Sequence, residues 1–474
     1  MEEEENQPAF ELIRPHLAAC SAESSADPAV RQLMIDLVRL HWRSGDFALA
    51  RAEADRIDAL WTGMLGPEDE QTLALRCMLA NILRDLGEYR RSLELSRRTW
   101  ESQCALFGEE DQTTLATARG MAAGMRALGM YREALERDLR THASLLPQVG
   151  EEAPDVLTVS HNIAIDYRLL GEARQAQEYS ERTERIRRVL KGPANDRTLT
   201  TQLYLARDKR DRGELREASA DLARIYETYR ASRGDDFPET LRAARSLAVS
   251  LRVLGEYERA ARLTRDTYRR YVERYGENHP DTWSCGLNLA ADDWCGGRYE
   301  QALLQAEEIW GQFIRVLGED HPNALACSDN VSVYLRSPDA SGSALERSAA
   351  LGEEATRGLT AQLGEDHPFT LCAEVNWANA RAELGDPVSA EQSERSCLDR
   401  LAAKLGTEHP DTLACRSNLA VTLRGLGQTE EAQRLHDDAV RGFGRDRNFG
   451  EAHPDAVRAE RWERISHVLE LHSW

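Results

Sequence analysis

Residues 406–427 read GTEHPDTLACRSNLAVTLRGLG, and the glycines that bound this stretch recur along the chain at a fixed step. Gly427 closes an apolar, helix-like run, as do Gly45, Gly87, Gly129, Gly171, Gly213, Gly255, Gly297 and Gly385. Gly406 opens a loop of the form G-x-x-H-P-x-T-L, in line with Gly66, Gly108, Gly150, Gly192, Gly234, Gly276, Gly318, Gly364 and Gly450. Each ladder takes six successive steps of 42 residues. Both then place about four extra residues near 337–343, where Pro338 and Gly342 are expected to loosen the contact between helices, and the second ladder places two more near Arg445–Phe449. A period of this length marks a stack of supersecondary units.

Within one period the pattern is helical. In Thr412–Gly427, Leu413, Leu419, Ala420 and Leu423 share a stripe at three- and four-residue spacings. Asp411 or Thr412 can cap the start after Pro410, and Gly427 offers a left-handed stop. A second helix follows from about Glu430 to Val440. Small residues recur where the two helices must approach: Ala80, Ala122, Ala164, Ala206, Ala248, Ala290, Ser332, Ala378 and Ala420 in the first helix. In the second they are Ala50, Ser92, Ala134, Ala176, Ala218, Ala260, Ala302, Ala390 and Ala432. The expected fold is all-α: a right-handed solenoid of about ten antiparallel helix pairs over 27–448, each covered only by its neighbours. Residues 1–26 read as an acidic segment with a leading helix over 7–20. Residues 449–474 read as a C-terminal capping helix whose WERISHVLEL stripe closes the stack.

Composition narrows the function. A chain of 474 residues exceeds the roughly 250–300 at which one core stops growing. Hydrophobic residues make up 41% and charged residues 30%, with a mean hydropathy of −0.57 and no 18-residue apolar run, so no membrane span is expected. The first residues, MEEEENQPAF, lack a signal-peptide pattern, which points to the cytoplasm. A net charge of −21 argues against a nucleic-acid or anionic-membrane surface. The nine cysteines show no C-x-x-C pair and read as free thiols. Cationic chemistry is almost wholly arginine, since Lys191, Lys209 and Lys404 are the only lysines.

The strings NLAVTLRGLGQTEEA and LGTEHPDTL resemble the tetratricopeptide repeat, specifically the 42-residue type of kinesin light chain. The pattern also looks like the repeat arm of actinobacterial NB-ARC (STAND) proteins. Strings of the LRxLGEYE and LGEDHPDTL kind make it most similar to the tetratricopeptide protein of the FxSxx-COOH peptide-modification system. The resemblance covers about residues 27–448. It implies a scaffold that binds a protein or peptide; the alternative it implies is a sensor or oligomerisation arm of a STAND-type switch. No G-x-x-x-x-G-K-[ST] loop is present, so nothing supports an ATPase here.

Chemistry-bearing motifs reduce to repeat punctuation. The triplets His279–Asp281, His409–Asp411 and His453–Asp455 sit at repeat junctions, with His321-Pro322 and His367-Pro368 as partial copies. Successive repeats would hold these rings about 10 Å apart, too far to share a metal ion. Loop-locking and helix capping are the expected roles. No H-E-x-x-H, G-x-S-x-G or G-x-G-x-x-G motif occurs, and neither enzymatic activity, cofactor nor metal is expected.

Two columns remain on the face that tetratricopeptide arrays turn inward, as the resemblance implies. Nine residues before the turn glycine, or its equivalent in the lengthened unit, stand Asn162, Asn288, Asn330, Asn376 and Asn418, with Tyr204 among them. Asparagine costs about half a kcal/mol against alanine inside a helix, and its amide can both donate to and accept from an extended backbone. Three before the turn stand Arg84, Arg126, Arg168, Arg210, Arg252, Arg336 and Arg424, interrupted by Trp294. Guanidinium forks suit carboxylates. The expected ligand is an acidic or carboxylate-ended segment, with Trp294 and Tyr204 as apolar anchors. The same arginines could equally pair with acids on adjacent helices. Partner identity and oligomeric state are not legible.

Overall fold

The computed structural model describes residues 12, 16, 17, 20–445 and 453–471, so the 7–20 helix lies mostly outside the described residues. All regular structure among them is helical. The chain divides into two compact units after Asp166. The first holds α1 (Pro28–Arg43), α2 (Phe47–Met64), α3 (Glu70–Asp85), α4 (Tyr89–Phe107), α5 (Gln112–Ala127), α6 (Tyr131–Val149) and most of α7 (Pro154–Leu169). The second continues through α8 (Ala173–Lys191), α9 (Asp196–Asp211), α10 (Leu215–Arg233), α11 (Pro238–Val253), α12 (Tyr257–Tyr275) and α13 (Pro280–Cys295). It ends with α14 (Tyr299–Leu317), α15 (Pro322–Tyr334), α16 (Gly342–Leu363), α17 (Pro368–Glu383), α18 (Pro387–Leu405), α19 (Pro410–Gly425), α20 (Thr429–Arg445) and α21 (Pro454–Glu460). No described helix is long and apolar enough to cross a membrane.

Within each unit successive helices pair into hairpins, as the 42-residue step requires. Junction residues cap the first helices. Asp69 and Asp111 accept from backbone N–H groups of the first turn, and His279, His321, His367, His409 and His453 do so through Nδ1 at 3.0–3.2 Å. The small columns lie at the helix crossings; Ala50, Ala134, Ala218, Ala302 and Ala432 are wholly buried.

Three expectations are corrected. The lengthened unit is not a loosened joint: α15 stops early, α16 runs 22 residues, and Ser348 takes the small-residue position opposite Ser332. Their hydroxyls reach each other's backbone carbonyls at 2.9 and 2.8 Å, because the extra residues restore the register of the crossing. Second, packing is not confined to neighbouring repeats. Within the second unit the Nε2 atoms of His367, His409 and His453 meet the carbonyls of Leu169, Asp211 and Val253 at 3.2, 3.3 and 2.9 Å, roughly two hundred residues away in sequence. Gly255, at φ +78°, lies so near Pro454 that a Cβ would come within 2.5 Å of its ring. Burial pushes the His367 imidazole down to about 4; the neutral ring accepts at Nδ1 and donates at Nε2, satisfying a cap and a distant turn together.

Third, the C-terminal segment is not a capping helix. α21 begins like another repeat, on His453-Pro454-Asp455, and ends at Glu460. Trp462 takes a left-handed φ of +61°, which costs a bulky residue roughly 1–2 kcal/mol. It is held there by its stack on His436, 3.9 Å between centroids at 6°, and by the Arg424 guanidinium 4.2 Å over its face. Residues 463–471 carry no helix. Ile465, Leu469 and Leu471 are buried at steps of four and two, positions that share one face of an extended chain, a pattern this short run supports as well as it does a helix.

Candidate functional site

Residues 463–471 cross the inner face of α15, α17 and α19, and the asparagine column receives them. Asn418 on α19 accepts from the Ile465 N–H at 2.8 Å and donates to its carbonyl at 2.8 Å. Asn376 on α17 treats His467 the same way, at 2.9 and 2.8 Å. Asn330 on α15 does so for Leu469, at 2.7 and 2.9 Å. Each carboxamide thus completes a two-point clamp on every second residue. All three are almost wholly buried, so the clamps work without competing water. Asn379 adds a second donor to the Ile465 carbonyl at 2.9 Å.

Side chains of the segment are answered by groups of the stack. Arg464 reaches Glu394, Asn379 and Thr422 at 2.8, 2.9 and 2.7 Å. Arg336 donates to the Ser466 hydroxyl at 2.7 Å and to Glu383 at 3.2 Å. His467 lies 3.3 Å from Asp411. Burial alone would lower that imidazole, but the Asp411 hydrogen bond and charge hold it above its usual value. Glu470 pairs with Arg210, and Arg207, Arg245 and Arg252 add to the field. Burial would raise the Glu470 carboxyl; these four cations keep it below its ordinary range.

The arginine column splits. In the first unit, Arg126 is buried between Asp166 at 2.6 Å and Asp138 at 2.8 Å, and Arg84 bonds Asn81 and Asp85. In the second unit Arg168 reaches Asp208 at 3.4 Å and covers the Tyr204 ring, and Arg252 reaches Asp292 at 3.0 Å and Asn288 at 3.3 Å. Arg126, Arg168 and Arg252 each grip an acid forty residues on, so these three are ties between repeats. Arg210, Arg336 and Arg424, by contrast, touch residues 462–471. Asn288 is engaged by Arg252, and Asn162 lies in the first unit, half-buried. Trp294 packs on Tyr299 and Tyr334, and Tyr204 is buried under two guanidinium groups, so neither offers an open anchor.

Sequence reasoning missed the acids Asp166, Asp208 and Asp292, although each stands five residues before a turn glycine, and it missed Asp329, Asn379 and Arg207. Burial raises the Asp329 carboxyl to about 7, and its Oδ2 accepts from the Asn376 amide at 2.8 Å. Among the described residues, Cys372, Asp411 and His467 are where three metal-ligand types converge, their atoms within 4.8 Å. Burial holds the Cys372 thiol well above its ordinary range, so it stays protonated and acts as a hydrogen-bonding neighbour of Asp411.

Models of the tetratricopeptide repeat match residues 155–231 and 369–443, and a second such model matches 72–113 and 240–281. Those four stretches match the tetratricopeptide repeat in sequence, and the helix pairs between them keep the same 42-residue step. A Rap protein complexed with Competence and Sporulation Factor is 12% identical and aligns over 86% of this chain and 99% of its own, with a TM-score of 0.54. A Podosopora anserina protein with kinesin-light-chain TPR-like repeats is 22% identical over 42% of this chain and 95% of its own, TM-score 0.35. The apo form of RapI is 15% identical over 58% and 96%, TM-score 0.42. No curated protein matches the chain significantly in sequence. At these identities the tetratricopeptide likeness is one of fold.

Proposed function

We propose that this tetratricopeptide scaffold binds a partner segment in extended form along the inner face of α15, α17 and α19, without catalysing a reaction on it. One observation carries the reading: Asn330, Asn376 and Asn418 clamp backbone N–H and C=O groups at every second residue of an extended segment. Such clamps are indifferent to side chains, so affinity comes from the main chain and selectivity from what flanks it. Beyond Leu469 the flank is cationic, with Arg207 and Arg210 facing the Glu470 carboxylate, which favours an acidic or carboxylate-ended partner. The solved Rap protein, of similar fold, is complexed with Competence and Sporulation Factor.

Panning a random nine-residue peptide library against the full chain tests this. Enriched peptides should carry an acid near one end, and Asn376→Ala or Arg210→Gln should weaken them at least about tenfold, the effect of losing roughly 1.5 kcal/mol. Peptides that bind these variants as well as the wild-type chain would place the binding surface elsewhere.

A further inference from the structure

We propose that residues 462–471 are a tethered pseudo-ligand, the chain's own occupant of the partner site, which has to leave before a partner peptide enters. The inference rests on the groove being a peptide site, and it names how that site is regulated and what displaces the occupant.

The segment is held as a ligand would be held. Its main chain makes the Asn330, Asn376 and Asn418 clamps, while the side chains of Arg464, His467 and Glu470 are each paired to groups of the stack. It is also strained at its root, where Trp462 sits at φ +61°. Most tellingly, residues 462–471 leave donors of the groove without an acceptor among the described residues. Arg207 is 2% exposed, yet its Nε and Nη1 find no acceptor among the described residues, and neither does Nη1 of Arg210. Burial pushes the Arg207 guanidinium down to about 10, with Glu470 the carboxylate that opposes this. Glu470 and, at 3.5 Å, Asp211 both meet Nη2 of Arg210, so the other donors of the two buried guanidinium groups are left to spare. A segment bringing a further carboxylate beyond the Glu470 position, as an acidic side chain or as a chain terminus, would meet donors that residues 462–471 leave without an acceptor. Displacement is favourable for that class of peptide and not for a neutral one.

The test uses the full chain and three fluorescein-labelled peptides: amidated ERISHVLEL, amidated ERISHVLEE, and ERISHVLEL with a free terminal carboxylate. The host is either wild type or His467→Pro/Leu469→Pro, which removes the N–H groups donated to Asn376 and Asn330. A tethered segment competes at an effective concentration near the millimolar range, so the proline variant should bind amidated ERISHVLEL about 100-fold more tightly than wild type. On the variant, a preference for ERISHVLEE assigns the extra donors to an acidic side chain, and a preference for the free carboxylate assigns them to a chain terminus. Equal affinities for all three overturn the further-carboxylate part of the inference. Ile465→Asp, which puts a charge into the apolar site beside Phe443, releases the segment by different chemistry and should reproduce the gain if the proline variant fails to fold. Equal binding by wild type and released variants overturns the inference and leaves the peptide groove standing. No binding to variants whose 463–471 amides exchange freely overturns the groove itself.

Discussion

His467 shows how much one side chain adds to a backbone clamp. Its main chain is fixed by Asn376, and its ring faces Asp411, with Asp329, Asp455 and the Cys372 thiol also around it. The imidazole pKa is raised in the docked state and returns to its ordinary value of about 6.5 when the segment opens into water. A raised docked pKa means stability that is fully present below that ordinary value and lost as pH rises through the docked one. Asp329 acts in the same direction, because its carboxyl is lifted to about 7 and ionises, buried, at higher pH. The 463–471 segment should therefore open more readily at pH 8.5 than at pH 5.5. Hydrogen exchange corrected for intrinsic rates measures this; protection that is flat or rising with pH would show that the Asp411–His467 pair adds nothing. His367 runs the opposite way. Its pKa is depressed to about 4, so its contribution is present above about 6.5 and fades as pH falls through 4.

Between elements, the turn glycines and the arginine ties carry the packing. Gly297 and Gly255 share φ +78°, but a Cβ on Gly297 meets open space whereas one on Gly255 meets Pro454. Gly297→Ala should cost about 1–2 kcal/mol of left-handed strain, and Gly255→Ala clearly more, read from urea midpoints. Equal costs would mean that the Gly255–Pro454 approach yields without penalty. Arg252 and Asp292 are a buried pair, so Arg252→Ala alone should lose about 3–5 kcal/mol, and the joint Arg252→Met/Asp292→Leu replacement much less. For the same reason, reversing Arg168 or Arg252 to Glu reports on folding before it reports on any ligand. The hairpins were legible because glycine and small-residue spacings are dictated by the helix geometry of each repeat. The split of the arginine column was not legible: Arg210 and Arg252 occupy the same position in their repeats, and only the residue five before the next turn glycine, Ser250 after one and Asp292 after the other, separates free flank from internal tie.

At the scale of the molecule, the second unit differs from a simple stack in two respects: distant repeats meet through the junction histidines, and it takes up its own end. The asparagine column could be read as backbone-binding from its chemistry, since a carboxamide in a helix interior has both a donor and an acceptor to offer. Its occupant could not. Trp462, Ile465 and Leu469 fit a helical stripe, Ile465, Leu469 and Leu471 fit a two-residue alternation, and only the presence of the groove decides between them. Single-residue hydrogen exchange over 463–471, in the full chain and in an Asn330→Ala/Asn376→Ala/Asn418→Ala variant, separates these two conformations. An extended segment in the clamps should show slow amides at Ile465, His467 and Leu469, fast ones at Ser466 and Val468, and loss of the slow set in the triple variant. Continuous protection from 463 to 471 that survives loss of the asparagines would instead mean a capping helix, and would contradict the groove as the site of an extended chain.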